Sequence, residues 1–212
     1  ELGSPHLLGN RIDLDYGDDV SFLRAVVVEQ GNPVLADNII LLDGGASGTL
    51  ALWLTNANAE LVGNTILVRE GSNVHGINLA GSSTPVIENN LVQTLVAGSS
   101  LCISSHDAGA VPASVRNNLL QCAYPMWGDS TSPVSGWTTI AEVHAGLPDA
   151  ASGNVKLAAP LVGIENGLDD AAPCTVARGG LDLTADYPED FAGEPRTDPV
   201  SMGALEWDGD CQ

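Results

Sequence analysis

An asparagine returns six times in one frame along this chain, and that recurrence restricts the fold more than any other feature. The segments PHLLGNRIDL, PVLADNIILL, AELVGNTILV, PVIENNLVQT, ASVRNNLLQC and, more loosely, DAASGNVKLA place it at Asn10, Asn38, Asn64, Asn90, Asn118 and Asn154, spaced by 28, 26, 26, 28 and 36 residues. Three positions before it stand Leu7, Leu35, Leu61, Ile87, Val115 and Ala151. Two positions after it stand Ile12, Ile40, Ile66, Val92 and Leu120, and four after it Leu14, Leu42, Val68, Thr94 and Cys122. Apolar residues two apart turn one face of a short strand inward. Pro5, Pro33 and Pro85 open three of the frames and remove the helical reading.

A unit of this length whose like residues return to one column builds a solenoid, with parallel strands stacked about 4.8 Å apart. The pattern predicts an all-β chain, a single-stranded right-handed parallel β-helix of about six coils. Stacking sets each Asn above the last, so its amide can bond the next coil and its own turn, and Asn tolerates the left-handed backbone such corners need. The six asparagines are therefore expected to be architectural.

All 212 residues read as one domain. Its parts are an N-terminal coil or cap over 1–30, regular coils over 31–122, a long loop insertion over 123–150, and last coils with an acidic C-terminal cap over 151–212. A second strand per coil is legible in ALWL, GINL and SLCI, with Leu52, Leu54, Ile77, Leu79, Leu101 and Ile103 inward and Trp53, Asn78 and Cys102 outward. In the first coil, VSFLRAVVV has no readable register. One and three positions after the ladder Asn the side chains should face solvent, yet Ile39, Leu41, Leu67, Leu91 and Leu119 stand there. Such a stripe is either covered by the chain itself or binds a partner, and the 123–150 insertion is the expected cover. The insertion also carries Tyr124, Met126, Trp127, Trp137 and His144. Its two tryptophans are either the plug that packs the loop on the coil or a sugar-stacking platform, to which outward Trp53 would add.

Composition narrows the partners. With 7 basic and 27 acidic residues the net charge is −20, which repels nucleic acid, anionic lipid and acidic polymers from the general field of the protein. The acid concentrates in 149–212, where the bases are Lys156, Arg178 and Arg196. The apolar runs are too short for a membrane span. Cys102, Cys122, Cys174 and Cys211 lack metal-site spacing and suit an exported protein with disulfides, Cys102–Cys122 and Cys174–Cys211 being favoured among three pairings. The chain opens on Glu1 without a Met, as a processed or excised product would.

The six copies of apolar-x-x-Asn-x-apolar resemble the parallel β-helix repeat of the pectin-lyase-like superfamily. The segments SGNVKLAAPLV, AAPCTVARGG and DFAGEPRTDPVSMGALEW resemble the closing region of secreted bacterial right-handed β-helix proteins. There Asp190, Gly193, Arg196, Gly203, Ala204 and Glu206 match an Asp-x-x-Gly-x-x-Arg and Gly-Ala-x-Glu pattern. The resemblance covers nearly the whole chain and implies an extracellular or bacterial cell-surface location. Locally, Arg196 is expected to pair with Asp190 or Glu206 and fasten the last coil; a catalytic arginine is the sharper alternative.

Many members of that superfamily are polysaccharide lyases or hydrolases. A lyase needs a base and Ca2+-holding acids, and a hydrolase needs paired carboxylates on one face. Arg69, Glu70, His75, Glu88, His106, Asp107 and Arg116 are the groups on offer in the repeats. Glu88 and Arg116 occupy one column and are expected to form an ion pair. His106 and Asp107, in the corner SSHDAGAV, with His75 one coil earlier, are the candidate catalytic cluster. Ca2+ is possible at Asp13, Asp15, Asp18 and Asp19, or at Asp182, Asp186, Glu189 and Asp190, although neither run has a regular calcium-loop spacing; no cofactor is otherwise expected. No column stacks two carboxylates with a base. The expectation is a non-catalytic extracellular or cell-surface module that binds glycan or surface protein, or associates with itself. The alternatives are a carbohydrate-active enzyme and a segment of a surface filament.

Overall fold

The computed structural model describes residues 4–17, 20–44, 47–96, 99–129, 132, 136–161, 163–164, 168 and 172–207. Each coil contributes three short strands. The first coil holds β1 (His6–Leu8), β2 (Arg11–Tyr16) and β3 (Leu23–Val28), and the second β4 (Val34–Ala36), β5 (Ile39–Gly44) and β6 (Thr49–Thr55). The third holds β7 (Glu60–Val62), β8 (Thr65–Val68) and β9 (Val74–Ala80). The fourth holds β10 (Val86–Glu88), β11 (Leu91–Thr94) and β12 (Ser100–Ser105), and the fifth β13 (Ser114–Arg116), β14 (Leu119–Gln121) and β15 (Tyr124–Gly128). Helix α1 (Ile140–Gly146), strand β16 (Ala151–Ser152) and helix α2 (Cys174–Ala177) follow.

All pairing between these strands is parallel, in a first sheet β1-β4-β7-β10-β13-β16, a second sheet β2-β5-β8-β11-β14 and a third sheet β3-β6-β9-β12-β15. The fold is the expected β-solenoid, slightly shorter than six coils, because β16 starts a sixth that no second or third strand completes among the described residues. The apolar columns line its interior: Leu35, Leu61 and Ile87 from the first sheet, Ile40, Ile66 and Val92 from the second, and Leu52, Ile77 and Ile103 from the third are all buried in one cluster.

The ladder joins all six asparagines. Beyond the first coil each side-chain Oδ1 accepts from the backbone N–H and the Nδ2 of the preceding coil's Asn, at 2.8–3.1 Å for the Asn64–Asn90 and Asn90–Asn118 steps. Each Nδ2 beyond the first coil also donates to the carbonyl three residues before the preceding Asn, as Asn90 does to Leu61. The left-handed residue is not the ladder Asn but the one before it. Asp37, Asn89 and Asn117 have φ of 55°, 56° and 50°, and Gly9, Gly63 and Gly153 take the same place in the other coils. Only Gly, Asn and Asp reach that backbone at low cost, which explains the residue types found there.

The third sheet departs from simple alternation. Its pairing runs Leu50↔His75↔Leu101 and then skips to Leu52↔Ile77↔Ile103, so the strands bend and two successive residues face inward. Cys102 therefore lies in the core rather than outside, bonded to Cys122, while Leu101 stands in the outward column of His75. The proposed partner of Cys174, Cys211, lies outside the described residues, as do Asp18 and Asp19.

The described residues of the 123–150 insertion do not cover the apolar stripe. It supplies β15 and then α1, whose Val143 is buried in the main core with Trp137, Ile140 and Leu147 packed beside it. Thr139 and Glu142 cap α1 reciprocally, and His144 Nε2 accepts from Asn154 Nδ2 at 3.3 Å, terminating the ladder. Trp137 is thus part of an end plug, bridged to Met126 and pressed against Gly146. The cover is the C-terminal segment 155–207. Ile164, Val176, Met202 and Ala204 bury Ile39, Leu41, Leu67, Leu91 and Leu119 in a second core outside the solenoid, so that stripe is not a bare binding surface. Outward polar residues serve the segment's backbone: Gln121 accepts from Leu157 N–H, Gln93 exchanges two bonds with Leu161, and Asn89 exchanges two with Leu181.

Arg196 fastens this segment to the second coil rather than to the last. It donates to Asp37 at 2.6 Å and to Glu206 at 3.0 Å, with its side chain 3 % exposed. Asp190 is not its partner; that carboxylate accepts from the N–H groups of Ala192, Glu194 and Glu206 and shapes the closing turn. Burial pushes the Asp37 carboxyl up to about 6 against the pull of Arg196, and burial also raises Glu206. The expected Glu88–Arg116 pair is in register but not joined as an ion pair, because Glu88 accepts from the Ser114 hydroxyl at 2.6 Å instead.

Candidate functional site

The outer face of the third sheet collects the chemistry that the repeat scatters through the sequence. Because like positions stack, Val27, Trp53, Asn78, Ser104 and Trp127 form one outward column, and Arg24, Leu50, His75, Leu101 and Tyr124 another. Trp53 and Trp127 are separated by three strand steps, about 14 Å at the usual strand spacing. Between them lie Asn78 and Ser104, and His75 stacks on His106 with ring centroids 5.7 Å apart. His106 in turn lies 5.9 Å from the Trp127 ring. Arg24 stands 4.0 Å over the Trp53 ring, and the Trp53 indole N–H donates to Thr55 Oγ1.

The hydrogen bonds set the roles of these groups. Ser104 donates to Asn78 Oδ1 at 2.9 Å, so its oxygen accepts from His75 Nδ1 at 2.7 Å. His106 Nε2 donates to the same Asn78 Oδ1 at 2.7 Å, and its Nδ1 faces Asp129 Oδ2 at 3.7 Å. Asn78 Nδ2 is buried and has no hydrogen-bond partner among the described residues. Ser104 is fully buried beneath the imidazoles, which removes it as a nucleophile.

Of the candidate catalytic cluster, the fold brings His75 and His106 together and separates Asp107 from them. Asp107 Oδ2 accepts from Gly81 N–H in the corner, and Asp129 is the carboxylate that faces His106 instead. Sequence reasoning missed Asp129 because it follows β15 in a segment without the repeat frame. It also did not name Ser104, and Asn78 figured only as an outward residue. Their shared column was the available signal.

Burial, reinforced by His106 alongside, pushes the His75 pKa down from 6.5 to about 4. The unfolded ring titrates near 6.5, so the stability this neutral ring contributes is complete above that pH and is lost as pH falls towards 4. Through His75 we expect the unfolding free energy to drop by on the order of 3 kcal/mol across that window. Urea denaturation at several pH values checks this: His75→Gln should flatten the dependence, and an unchanged slope would assign the titration to another group.

The calcium candidates disperse. Asp13 pairs with Arg11 at 2.9 Å, Asp15 stacks on Asp43, which pairs with Arg69, and Asp182 accepts from the Thr184 hydroxyl. Among the described residues no three His, Cys, Asp or Glu converge on a point that could hold a metal.

No protein-family model matches this chain, and no curated protein or solved structure compared with it matches either.

Proposed function

We propose that this protein is a non-catalytic, exported β-solenoid module that binds a glycan along the outer face of its third sheet. The observation that carries this reading is the single outward column in which Trp53 and Trp127 bracket Asn78 and Ser104, with His75, His106 and Asp129 beside it. Two partly exposed indoles in line, with the half-exposed His106 and Asp129 side chains beside them, suit pyranose rings that stack through their apolar faces and hydrogen-bond through their hydroxyls.

Two features favour binding over turnover: the buried serine, and the imidazole nitrogens engaged with Ser104, Asn78 and Asp129. Export is supported by the Cys102–Cys122 disulfide, and no described helix is long and apolar enough to cross a membrane. The likeness of the repeat and closing motif to pectin-lyase-like proteins supports the same setting.

A glycan array followed by calorimetry tests the proposal. Trp53→Ala and Trp127→Ala are each expected to weaken binding roughly tenfold, the loss of one aromatic platform. Polysaccharide incubations run beside it, following unsaturated products and reducing ends. Turnover abolished by His106→Ala would overturn the non-catalytic reading, and binding indifferent to both tryptophans would overturn the assigned face.

A further inference from the structure

Trp53 is not a bare platform. The Arg24 guanidinium lies 4.0 Å over its ring and 4.9 Å from the Phe22 ring. Arg24 stands on β3 and Trp53 on β6, so the side chain leans out of its own coil and over the second, where the indole holds it. At that separation the guanidinium meets the indole through its face, which leaves its rim of N–H donors to other partners. Among the described residues no carboxylate bonds to Arg24, whereas Arg11, Arg69 and Arg196 each meet one. What a ligand meets at the Trp53 end is therefore a cation backed by an aromatic ring.

The other end of the same face carries the opposite charge. Asp129 follows β15, four strand steps from β3, about 19 Å at the usual spacing. Its carboxylate is 35 % exposed and lies 3.7 Å from His106 Nδ1, and the His106 ring lies beside Trp127. Uncharged Leu50, Asn78, Leu101 and Ser104 stand between the two ends.

We propose that the ligand of this face is an oligosaccharide with one acidic group, a carboxylate or a sulfate, which Arg24 holds beside Trp53 while uncharged sugar residues run on towards Trp127 and Asp129. The assignment rests on the glycan-binding reading and gives that ligand a charge and a direction. A planar guanidinium offers two parallel charge-assisted bonds to such a group, which a wholly neutral chain forgoes. A polymer with an acid on every residue fits no better, because it sets one acid against Asp129 and the others in the field of a chain with 27 acidic and 7 basic residues.

A glycan array of matched sets tests the assignment. Each set presents one backbone as the neutral oligosaccharide, with one uronic acid at an end, with one sulfate at that end, and with a uronic acid at every position. A singly acidic member is expected to bind about tenfold more tightly than its neutral counterpart and more tightly than the all-uronate form, with an advantage that shrinks as salt is added. Preference for the uronate arm or for the sulfate arm identifies the anion. Arg24→Gln should bind neutral and singly acidic members equally, and Arg24→Lys, which keeps the charge without the planar fork, should retain part of the preference. Arg116→Gln removes the same charge from an exposed position on β13 and should keep the wild-type order. Arg24 is exposed, so its variants are expected to keep the wild-type circular dichroism. Equal binding of neutral and singly acidic members, a preference that survives Arg24→Gln, or tightest binding of the all-uronate form would each overturn the assignment and leave the glycan-binding reading standing. Failure to bind any member would overturn both.

Discussion

Replacing Asn90 with Ala should destabilise the protein by about 3–5 kcal/mol, because the change strands several buried polar groups together. Asn90 Oδ1 is the acceptor for both the backbone N–H and the Nδ2 of Asn64, and Asn90 Nδ2 serves Asn118 Oδ1 and the carbonyls of Leu61 and Glu88. Ala leaves the Asn64 N–H unpaired in a place water does not reach. Asn10→Ala is the internal comparison, since Asn10 is half-buried, its Oδ1 accepts from no described neighbour, and its Nδ2 donates only to Asn38 Oδ1 and the Leu8 carbonyl. Its cost should be about 1 kcal/mol. Chemical denaturation of the two variants measures both. Equal losses would mean that the corner backbone, and not the stacked amides, holds the coils in register.

Arg196→Met should cost about 3–5 kcal/mol near neutral pH, the penalty for leaving buried carboxylates without their cation. Asp37 and Glu206 both point at this guanidinium, from the second coil and from the closing segment. With the clasp gone, 155–207 should lift from the second sheet and bare Ile39, Leu41 and Leu67, detectable as dye binding and faster proteolysis of the segment. The deficit should shrink as pH falls through about 6, where Asp37 takes up a proton and less unpaired charge is left buried. The native clasp has the same sign. A carboxyl raised to about 6 contributes stability that is fully present below 3.8 and declines as pH rises through 6, opposite to His75. A deficit independent of pH would show that Arg196 acts by packing and not by charge. Adding Asp37→Asn to Arg196→Met should recover part of the loss, since it removes the stranded charge and Asn tolerates the left-handed backbone at that position.

The coil itself was legible because a solenoid is a one-dimensional fold. Leu35, Ile40 and Leu52 each repeat their environment one coil later, so counting from Asn38 to Asn64 is enough to place them. Alternation failed at Cys102, where a bend in the third sheet turns two successive residues inward, and nothing in SLCI announces that bend. The anomaly of the outer stripe was visible in Ile39, Leu41, Leu67, Leu91 and Leu119, but its cover was assigned to the wrong segment. The described residues of the segment that covers it, 155–207, form one short helix and turns without a period, and their contacts to Asp37, Glu60, Thr65 and Asn89 span 92 to 159 residues of chain.

The candidate site shows the same division. His75 and His106 could be brought together on paper because both sit near repeat corners, and Asp107 seemed their neighbour because it is adjacent in sequence. Adjacent residues in a strand or corner diverge, whereas residues one coil apart converge, so Asp107 serves the Gly81 corner and Asp129 faces the ring. The sequence by itself determined the repeat, the ladder and the inward columns, since these follow from local periodicity multiplied by stacking. Only the tertiary structure decided which segment closes the stripe, which carboxylates meet Arg196 and which groups share the outer face. Those outcomes depend on where aperiodic chain lands after long loops, and pairings over such distances are selected by burial and charge in the assembled fold.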